Sequence, residues 1–233
     1  MNLLLISNST NAGEPYLKYP IGEIGRFLEG IDEVVFVPYA AVTFSYAEYE
    51  KKVQARFDEI GVKVRSVHRS KNPARMIREA KAICVGGGNT FALTKKMQEQ
   101  GLMSAILRKI KAGTPYVGWS AGSNVCCPTI CTTNDMPIVE PESFKAIGAI
   151  KFQINPHYLV ANPEGHAGET REQRIAEYIV ANPRRYVVGL REGCMLHYTD
   201  GKLTLIGKRP MRIFKKGVPT FEVQPGEDLS FLL

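Results

Sequence analysis

Short apolar runs alternate with helical patterns through the first half of the chain. Five apolar runs predict strands, at Leu3–Ser7, Glu33–Val37, Val62–Val67, Ala82–Val85 and Tyr116–Trp119. Between them, apolar residues recur at helical spacing in five segments, at Ile21–Leu28, Tyr46–Ile60, Pro73–Ala80, Thr90–Gln98 and Met103–Lys111. Near-continuous apolar strands separated by helices predict an α/β fold with a mainly parallel, doubly wound sheet and helices on both faces.

The pattern changes in the second half of the chain. Ile150–Ile154 and Tyr186–Leu190 predict two further strands, and Arg171–Val180 predicts a helix between them. Further on, shorter runs predict hairpins, with an Asp-Gly turn signal at 200–201. No linker, internal repeat or low-complexity segment stands out. We therefore expect a single α/β domain over residues 1–233, with a small antiparallel addition near the C-terminal end.

Composition narrows the class of protein. Hydrophobic residues make up 44% of the chain and charged residues 23%, which is typical of a globular protein rather than a disordered one. The first apolar run is too short for a signal peptide and has no basic leader. No apolar stretch approaches the roughly 18–20 residues that cross a bilayer. We expect a cytoplasmic protein that does not bind membranes.

Charge and cysteine content argue against a nucleic-acid-binding protein and against a metal-binding one. The net charge of +7 invites a nucleic-acid partner, but the basic residues are scattered as isolated pairs, which favours a solvated surface or an acidic small substrate. The five cysteines lack zinc-ligand spacing, and the four histidines show no metal-type pairing. We expect buried, reduced thiols and no metal or cofactor.

Residues 118–122, Gly-Trp-Ser-Ala-Gly, match the nucleophile-elbow pattern G-x-S-x-G. They follow the fifth predicted strand and precede Ala121–Cys127, a segment that fits the start of a helix. A strand that turns sharply into a helix leaves no room for side chains beside the turn, so glycines flank the serine. We predict Ser120 as a nucleophile, and an ordinary tight turn is the alternative.

Three glycines and Asn89 follow the fourth predicted strand, at the edge where doubly wound sheets bind ligands. Bare N–H groups before a helix can bind an anion, but the lysine of a phosphate-binding loop is absent. Acyl transfer at a serine elbow requires one N–H from the residue after the nucleophile and a second from a neighbouring loop. We predict Ala121 and Gly88 as these donors. A helix-entry glycine run without a ligand is the alternative.

A serine nucleophile needs a base and an acid that orients it. His157 follows an apolar strand that Asn-Pro is expected to end, which places the histidine on the rim of the site. Asp135, in a polar loop, and Glu192, after the strand Tyr186–Leu190, are both candidates for the acid, and strand-end position favours Glu192. The alternatives are a loop histidine, an Asx turn at Asp135 and an ion pair of Glu192 with Arg191.

Thr170 and Gln173 fit a capping box, which makes Arg171 the first residue of a helix. A cation in that position opposes the helix dipole, at a cost of roughly 0.3–1 kcal/mol. Arginine beside a helix N-terminus forms a doubly positive pocket for a carboxylate. The alternative is an exposed arginine offset by Glu169 and Glu172.

Six motifs together resemble those of the peptidase E family of serine peptidases, the α-aspartyl dipeptidases. They span most of the chain and lie at residues 5–10, 85–91, 118–122, 133–139, 154–157 and 168–174. The resemblance implies a fold similar to the class I glutamine amidotransferases rather than the α/β-hydrolases. It also implies cleavage of dipeptides with an N-terminal aspartate, without a metal or cofactor.

The resemblance implies Ser120 as the nucleophile and His157 as the base, and it leaves both Asp135 and Glu192 open as the acid.

We predict that Arg171 binds the aspartyl side chain of the substrate, with Asn89 and His166 as further substrate-binding residues. The expected partner is a small acidic dipeptide, and a homodimer is an allowed assembly. Two alternative functions remain open. One is an α/β-hydrolase esterase, which would share the elbow, and the other is a small-anion-binding module that uses the Gly86–Asn89 loop.

Overall fold

The computed structural model describes residues 1–160 and 168–233. The strands are β1 (Leu3–Ile6), β2 (Glu33–Val37), β3 (Lys63–Ser66), β4 (Ile83–Val85), β5 (Tyr116–Trp119), β6 (Gln153–Tyr158), β7 (Val187–Arg191), β8 (Met195–Thr199), β9 (Lys202–Ile206), β10 (Met211–Lys215) and β11 (Val218–Val223). The α-helices are α1 (Ile21–Phe27), α2 (Tyr46–Phe57), α3 (Pro73–Glu79), α4 (Thr90–Glu99), α5 (Leu102–Lys111), α6 (Ala121–Asn124) and α7 (Arg171–Ala181).

Five parallel strands form the main part of the first sheet, in the order β3-β2-β4-β5-β1, and antiparallel β8 and β9 extend it beyond β1. Successive side chains of β1 enter two apolar clusters on opposite faces of this sheet. Leu3 and Leu5 belong to the cluster that includes Leu93 of α4 and Ile106 of α5. Leu4 and Ile6 belong to the cluster that contains side chains of α1 and α2. The predicted mainly parallel sheet with helices on both faces is confirmed.

The two strands expected in the second half do not extend this sheet. β6 and β7 pair in parallel with each other, and antiparallel β10 and β11 complete a second sheet of order β11-β10-β7-β6. The expected antiparallel addition is therefore divided between the two sheets. Apolar runs identify strands, but strand pairing depends on contacts between distant parts of the chain.

The predicted strand Ile150–Ile154 is displaced along the chain. β6 begins later and continues through Pro156, so the Asn-Pro pair does not end it. It is tolerated because β6 is an edge strand, where a residue without an N–H can lie. Beyond Asn155 the pairing with β7 slips by one residue, which is a β-bulge. His157 consequently lies on this bulge within the strand, and not beyond its end as expected.

Helix bounds differ from prediction mainly at two places. The segment predicted as one helix from Tyr46 ends its α-helical part at Phe57 and continues as a 3₁₀ turn at Asp58–Ile60. The helix after the serine elbow, α6, ends at Asn124, earlier than the predicted segment. Within residues 1–160 and 168–233, no helix is long and apolar enough to span a membrane.

All five cysteines are free thiols. Four are buried as predicted, and burial raises the pKa of the Cys84 and Cys126 thiols, so these thiols stay protonated and pack as small apolar groups. Cys131 is exposed, so the expectation of buried thiols is wrong for this residue.

Candidate active site

A strained turn between β5 and α6 carries Ser120, whose φ is 54° and ψ is −113°. Close packing explains the glycines on either side. A Cβ at Gly118 would lie 2.4 Å from the carbonyl oxygen of Gly122, and a Cβ at Gly122 would lie 2.0 Å from the carbonyl oxygen of Val85. The Ser120 N–H donates to Ile6 O over 3.0 Å. The motif therefore forms an elbow that only glycines at these two positions can fit.

The glycine loop after β4 passes beside this elbow. A Cβ at Gly87 would lie 2.9 Å from Ser120 Cβ. Gly88 has a φ of 132°, and its Cβ would lie 2.3 Å from Ala40 O, so the loop needs glycine there as well. Ala121 is the first residue of α6, and its N–H therefore has no acceptor within the helix.

Two hydrogen bonds join Ser120, His157 and Glu192. His157 Nε2 lies 2.9 Å from Ser120 Oγ, and His157 Nδ1 lies 2.7 Å from Glu192 Oε1. The elbow of the first sheet supplies the serine, while the second sheet supplies the histidine on β6 and the glutamate after β7. The His157 and Glu192 side chains are 38% and 39% exposed, so a small molecule can reach them. The arrangement can pass a proton from a hydroxyl to an imidazole whose second nitrogen a carboxylate holds.

Asp135 lies on the wall of the same cavity but is held differently. Its Oδ2 accepts hydrogen bonds from the Thr90 N–H (2.7 Å), the Thr90 hydroxyl (2.6 Å) and the Thr133 hydroxyl (3.1 Å). Thr90 begins α4, where the helix dipole also favours a carboxylate. Among the hydrogen bonds of the described residues, the carboxylate that meets His157 is that of Glu192 and not that of Asp135.

Arg171 is the first residue of α7, as the capping box predicts. The Thr170 hydroxyl accepts from the Gln173 N–H over 3.2 Å, and Gln173 Oε1 accepts from the Thr170 N–H over 2.7 Å. The next residue, Glu172, accepts a 2.9 Å hydrogen bond from the Tyr158 hydroxyl of β6. The first turn of α7 is thereby fixed to the strand that carries the histidine.

The half-buried guanidinium of Arg171 faces charges of both signs. Burial lowers the pKa of Arg171 and Arg174 lowers it further, while Asp135 and Glu192 act in the opposite direction. Arginine stays charged through such shifts. In the part of the chain that the structure describes, no carboxylate forms an ion pair with Arg171. The site thus presents a cation without a close anionic partner among the described side chains.

A cavity of about 400 Å³ joins these groups, a size within the range of small-molecule sites. The residues that line it are Thr90, Ser120, Ala121, Thr133, Asn134, Asp135, Pro156, His157, Leu159, Arg171 and Glu192. Within the described ranges, no group of three or more His, Cys, Asp or Glu side chains is placed to hold a metal ion.

The model of peptidase family S51 matches residues 3–206 of the chain. The chain belongs to peptidase family S51. Its relatives include the peptidase E of Nostoc sp., which is 49% identical and aligns over 99% of this chain and 96% of its own length. The peptidase E of Citrobacter koseri is 44% identical, over 97% of this chain and 99% of its own. The resemblance inferred from the six motifs is confirmed, and the S51 chain is a serine-type peptidase.

Two solved structures share the fold of this S51 peptidase. A putative peptidase E protein from Listeria monocytogenes has a TM-score of 0.66 at 22% identity, covering 88% of this chain and 98% of its own. A peptidase from an acI-B1 Actinobacterium has a TM-score of 0.72 at 19% identity, covering 99% of this chain and 96% of its own.

Of the other two substrate-binding candidates of the S51 peptidase, the structure describes Asn89, which is not among the residues that line the cavity. Asn89 caps α4, since its Oδ1 accepts from the Ala92 N–H (3.0 Å) and its Nδ2 donates to Met136 O (2.9 Å). Both ends of the Asn89 side chain therefore hold the glycine loop and the Asp135 loop together. His166 lies outside the described residues, and its role stays a prediction.

Sequence reasoning did not select five of the residues that line the cavity, which are Thr90, Thr133, Asn134, Pro156 and Leu159. Thr90 anchors the Asp135 carboxylate, and its place as the first residue of a helix beside the glycine loop was an available signal. Leu159 is an exposed apolar side chain on the wall, with no local signal for it in the sequence.

Proposed function

We propose that this S51 peptidase hydrolyses dipeptides with an N-terminal aspartate, through Ser120, His157 and Glu192 and an acyl-enzyme intermediate. The mechanism rests on the two hydrogen bonds of 2.9 and 2.7 Å that join the histidine to the serine and to the glutamate. Relatives named peptidase E support the peptidase class.

In the proposed reaction, His157 takes the Ser120 proton as Oγ attacks the aspartyl carbonyl carbon. Glu192 holds Nδ1–H and stabilises the imidazolium that forms. The N–H groups of Ala121 and Gly88 bind the oxyanion of the tetrahedral intermediate. His157 then gives its proton to the leaving nitrogen as the C–N bond breaks. Water, deprotonated by His157, attacks the acyl ester, and the proton returns to the serine as aspartate leaves.

Arg171 is the proposed partner of the aspartyl side-chain carboxylate. It lines the cavity with the nucleophile, is half-buried and has no ion pair with a described residue. A guanidinium can bind a carboxylate through two parallel hydrogen bonds. A site built around such a pair rejects analogues that lack the charge, because the buried cation would be left unpaired.

Ser120, His157 and Glu192 form the proposed proton relay. Asp135 makes no hydrogen bond to His157, and we assign it the binding of the substrate's α-ammonium group instead of the role of acid in this relay. Thr90 and Thr133 hold its Oδ2, and its Oδ1 has no hydrogen-bond donor among the described residues. A carboxylate fixed at one oxygen in this way offers the other to a cation. Asn89 and His166 are kept as secondary candidates for substrate contacts.

The test is kcat/KM of the wild-type protein for Asp-Leu, Asn-Leu and Ala-Leu, and for a simple ester. Asp-Leu should be turned over far faster than the two neutral analogues. Ester turnover without Asp-Leu turnover would favour the esterase rival. Binding of acidic dipeptides without turnover, unaffected by Ser120→Ala, would favour an anion-binding module.

A further inference from the structure

Residues at the carboxyl end of β1 contact both sheets where the proposed relay crosses between them. Ile6 O accepts the Ser120 N–H of the elbow over 3.0 Å. The next residue, Ser7, is fully buried, and its hydroxyl makes two hydrogen bonds to the second sheet. Ser7 Oγ accepts from the His157 N–H over 3.0 Å and donates to Leu190 O over 2.7 Å. One hydroxyl thus connects the backbones of β6 and β7 to the end of β1.

The following residue extends the same contact to the glutamate. Asn8 Oδ1 accepts from the Gly193 N–H over 2.9 Å and from the Tyr19 hydroxyl over 2.7 Å. Leu190 and Gly193 lie on either side of the Arg-Glu pair that ends in Glu192. The side chains of Ser7 and Asn8 therefore hold the backbone both before and after this carboxylate.

The bond from Ser7 to His157 matters because of the local backbone. His157 has a φ of 53°, a left-handed conformation that residues with side chains rarely adopt. It lies on the bulge of β6, where the regular pairing with β7 is interrupted. Ser7 supplies the acceptor for the bulged N–H, and because Ser7 is 0% exposed, water does not readily replace it.

We propose that Ser7 is a positioning residue that keeps His157 in register with Ser120 on one side and Glu192 on the other. The proposal rests on the relay of the proposed function. Without the hydroxyl, the bulge loses its acceptor and the imidazole shifts relative to both partners. A displacement of about 1 Å at a reacting group costs on the order of 10²-fold in rate.

The experiment compares Ser7→Ala with Ser66→Ala. Ser66 is a matched control because it is also buried, at 1% exposure, it also lies at the end of a strand of the first sheet, and its Oγ lies 2.6 Å from His68 Nδ1. Each variant loses one buried hydroxyl, so both should lower Tm. For Ser7→Ala, kcat for Asp-Leu should fall on the order of 10²-fold with KM little changed, whereas Ser66→Ala should keep its kcat.

Two further readouts separate positioning from a general loss of stability. The rate at which a fluorophosphonate modifies Ser120 should fall in parallel with kcat, because His157 activates the serine towards both. The downfield proton resonance of His157 Nδ1–H should broaden or shift in Ser7→Ala only. Ser7→Thr, which restores the hydroxyl, should recover most of the rate.

Unchanged kcat and fluorophosphonate rate in folded Ser7→Ala would overturn the proposal. If Ser7→Ala does not fold, Ser7→Thr and Ser7→Cys replace it, and equal rates in these two would overturn it, since sulfur is a weak hydrogen-bonding group. A wild-type protein that reacts with the fluorophosphonate but not with Asp-Leu would contradict only the proposed substrate. The role of Ser7 is then tested by the rate at which the fluorophosphonate modifies Ser120 in each variant. A wild-type protein that reacts with neither would overturn both proposals.

Discussion

Replacing Arg171 tests the charge that the proposed specificity requires. The guanidinium is half-buried at the start of α7, and in Arg171→Ala the substrate's carboxylate would enter the cavity without a partner. Truncating one member of a buried charge pair costs about 2–5 kcal/mol. Partial exposure favours the lower end, about 2–3 kcal/mol, which corresponds to roughly 30- to 150-fold in kcat/KM.

The assay is kcat/KM for Asp-Leu, Asn-Leu and Ala-Leu with the wild type and each variant. In Arg171→Ala the value for Asp-Leu should fall by that factor while the values for the neutral dipeptides change little, so the preference collapses. Arg171→Lys should recover only part of it, because an ammonium cannot form the two parallel bonds of a guanidinium. Glu-Leu should be a poor substrate of the wild type, since one extra methylene displaces either the carboxylate or the scissile carbonyl.

Arg174→Ala is the matched control. Arg174 lies one turn further along the same helix, is exposed and pairs loosely with Glu169 at 3.7 Å. Its removal should leave the preference for Asp-Leu intact. Full preference retained in Arg171→Ala would refute the assignment, and loss of the preference in Arg174→Ala would move the carboxylate site to that residue. Asn89 and His166 would be the next candidates.

Three further predictions concern the relay and the elbow. Ser120→Ala should fold normally and lose at least about a thousandfold in kcat, and a fluorophosphonate should label the wild type once, at this serine; a larger residual rate would contradict a covalent mechanism. Glu192→Gln should lose on the order of 10⁴ in kcat, whereas Asp135→Asn should mainly raise KM, and the reverse result would make the aspartate the orienting acid. Gly122→Ala should unfold the protein or lower its Tm sharply, because the new Cβ would lie 2.0 Å from a carbonyl oxygen. Gly22→Ala on α1 is the control, and it should leave Tm unchanged or raised because no atom lies within 4 Å of the new Cβ.

The elbow and the parallel strands could be predicted because their causes are local. Gly118 is needed because of a contact within the motif, the Gly122 carbonyl, and β1, β4 and β5 are continuous apolar runs. Gly122 is needed because of the Val85 carbonyl of the neighbouring β4, but it too belongs to the short G-x-S-x-G pattern. The capping box at Thr170 is local too, and it identified the first residue of α7.

What the sequence did not predict depends on partners that are distant along the chain. Pro156 ends a strand in most settings, and only the edge position of β6 allows the strand to continue and places His157 on a bulge. The sequence left the acid open because the choice depends on which loop lies beside the imidazole. β7 pairs with β6 and brings Glu192 to 2.7 Å from His157, while Thr90 holds Asp135 on another wall.

The division of the relay between two sheets also orders the events of synthesis. Along the chain, β5 and the elbow precede both the histidine of β6 and the glutamate after β7. β7 pairs on one side with β6 and on the other with β10, so the acid lies in a finished sheet only after the C-terminal strands have emerged. Under the proposed mechanism, the serine therefore remains an ordinary alcohol until the second sheet has formed, and hydrolytic activity would report the folding of that sheet.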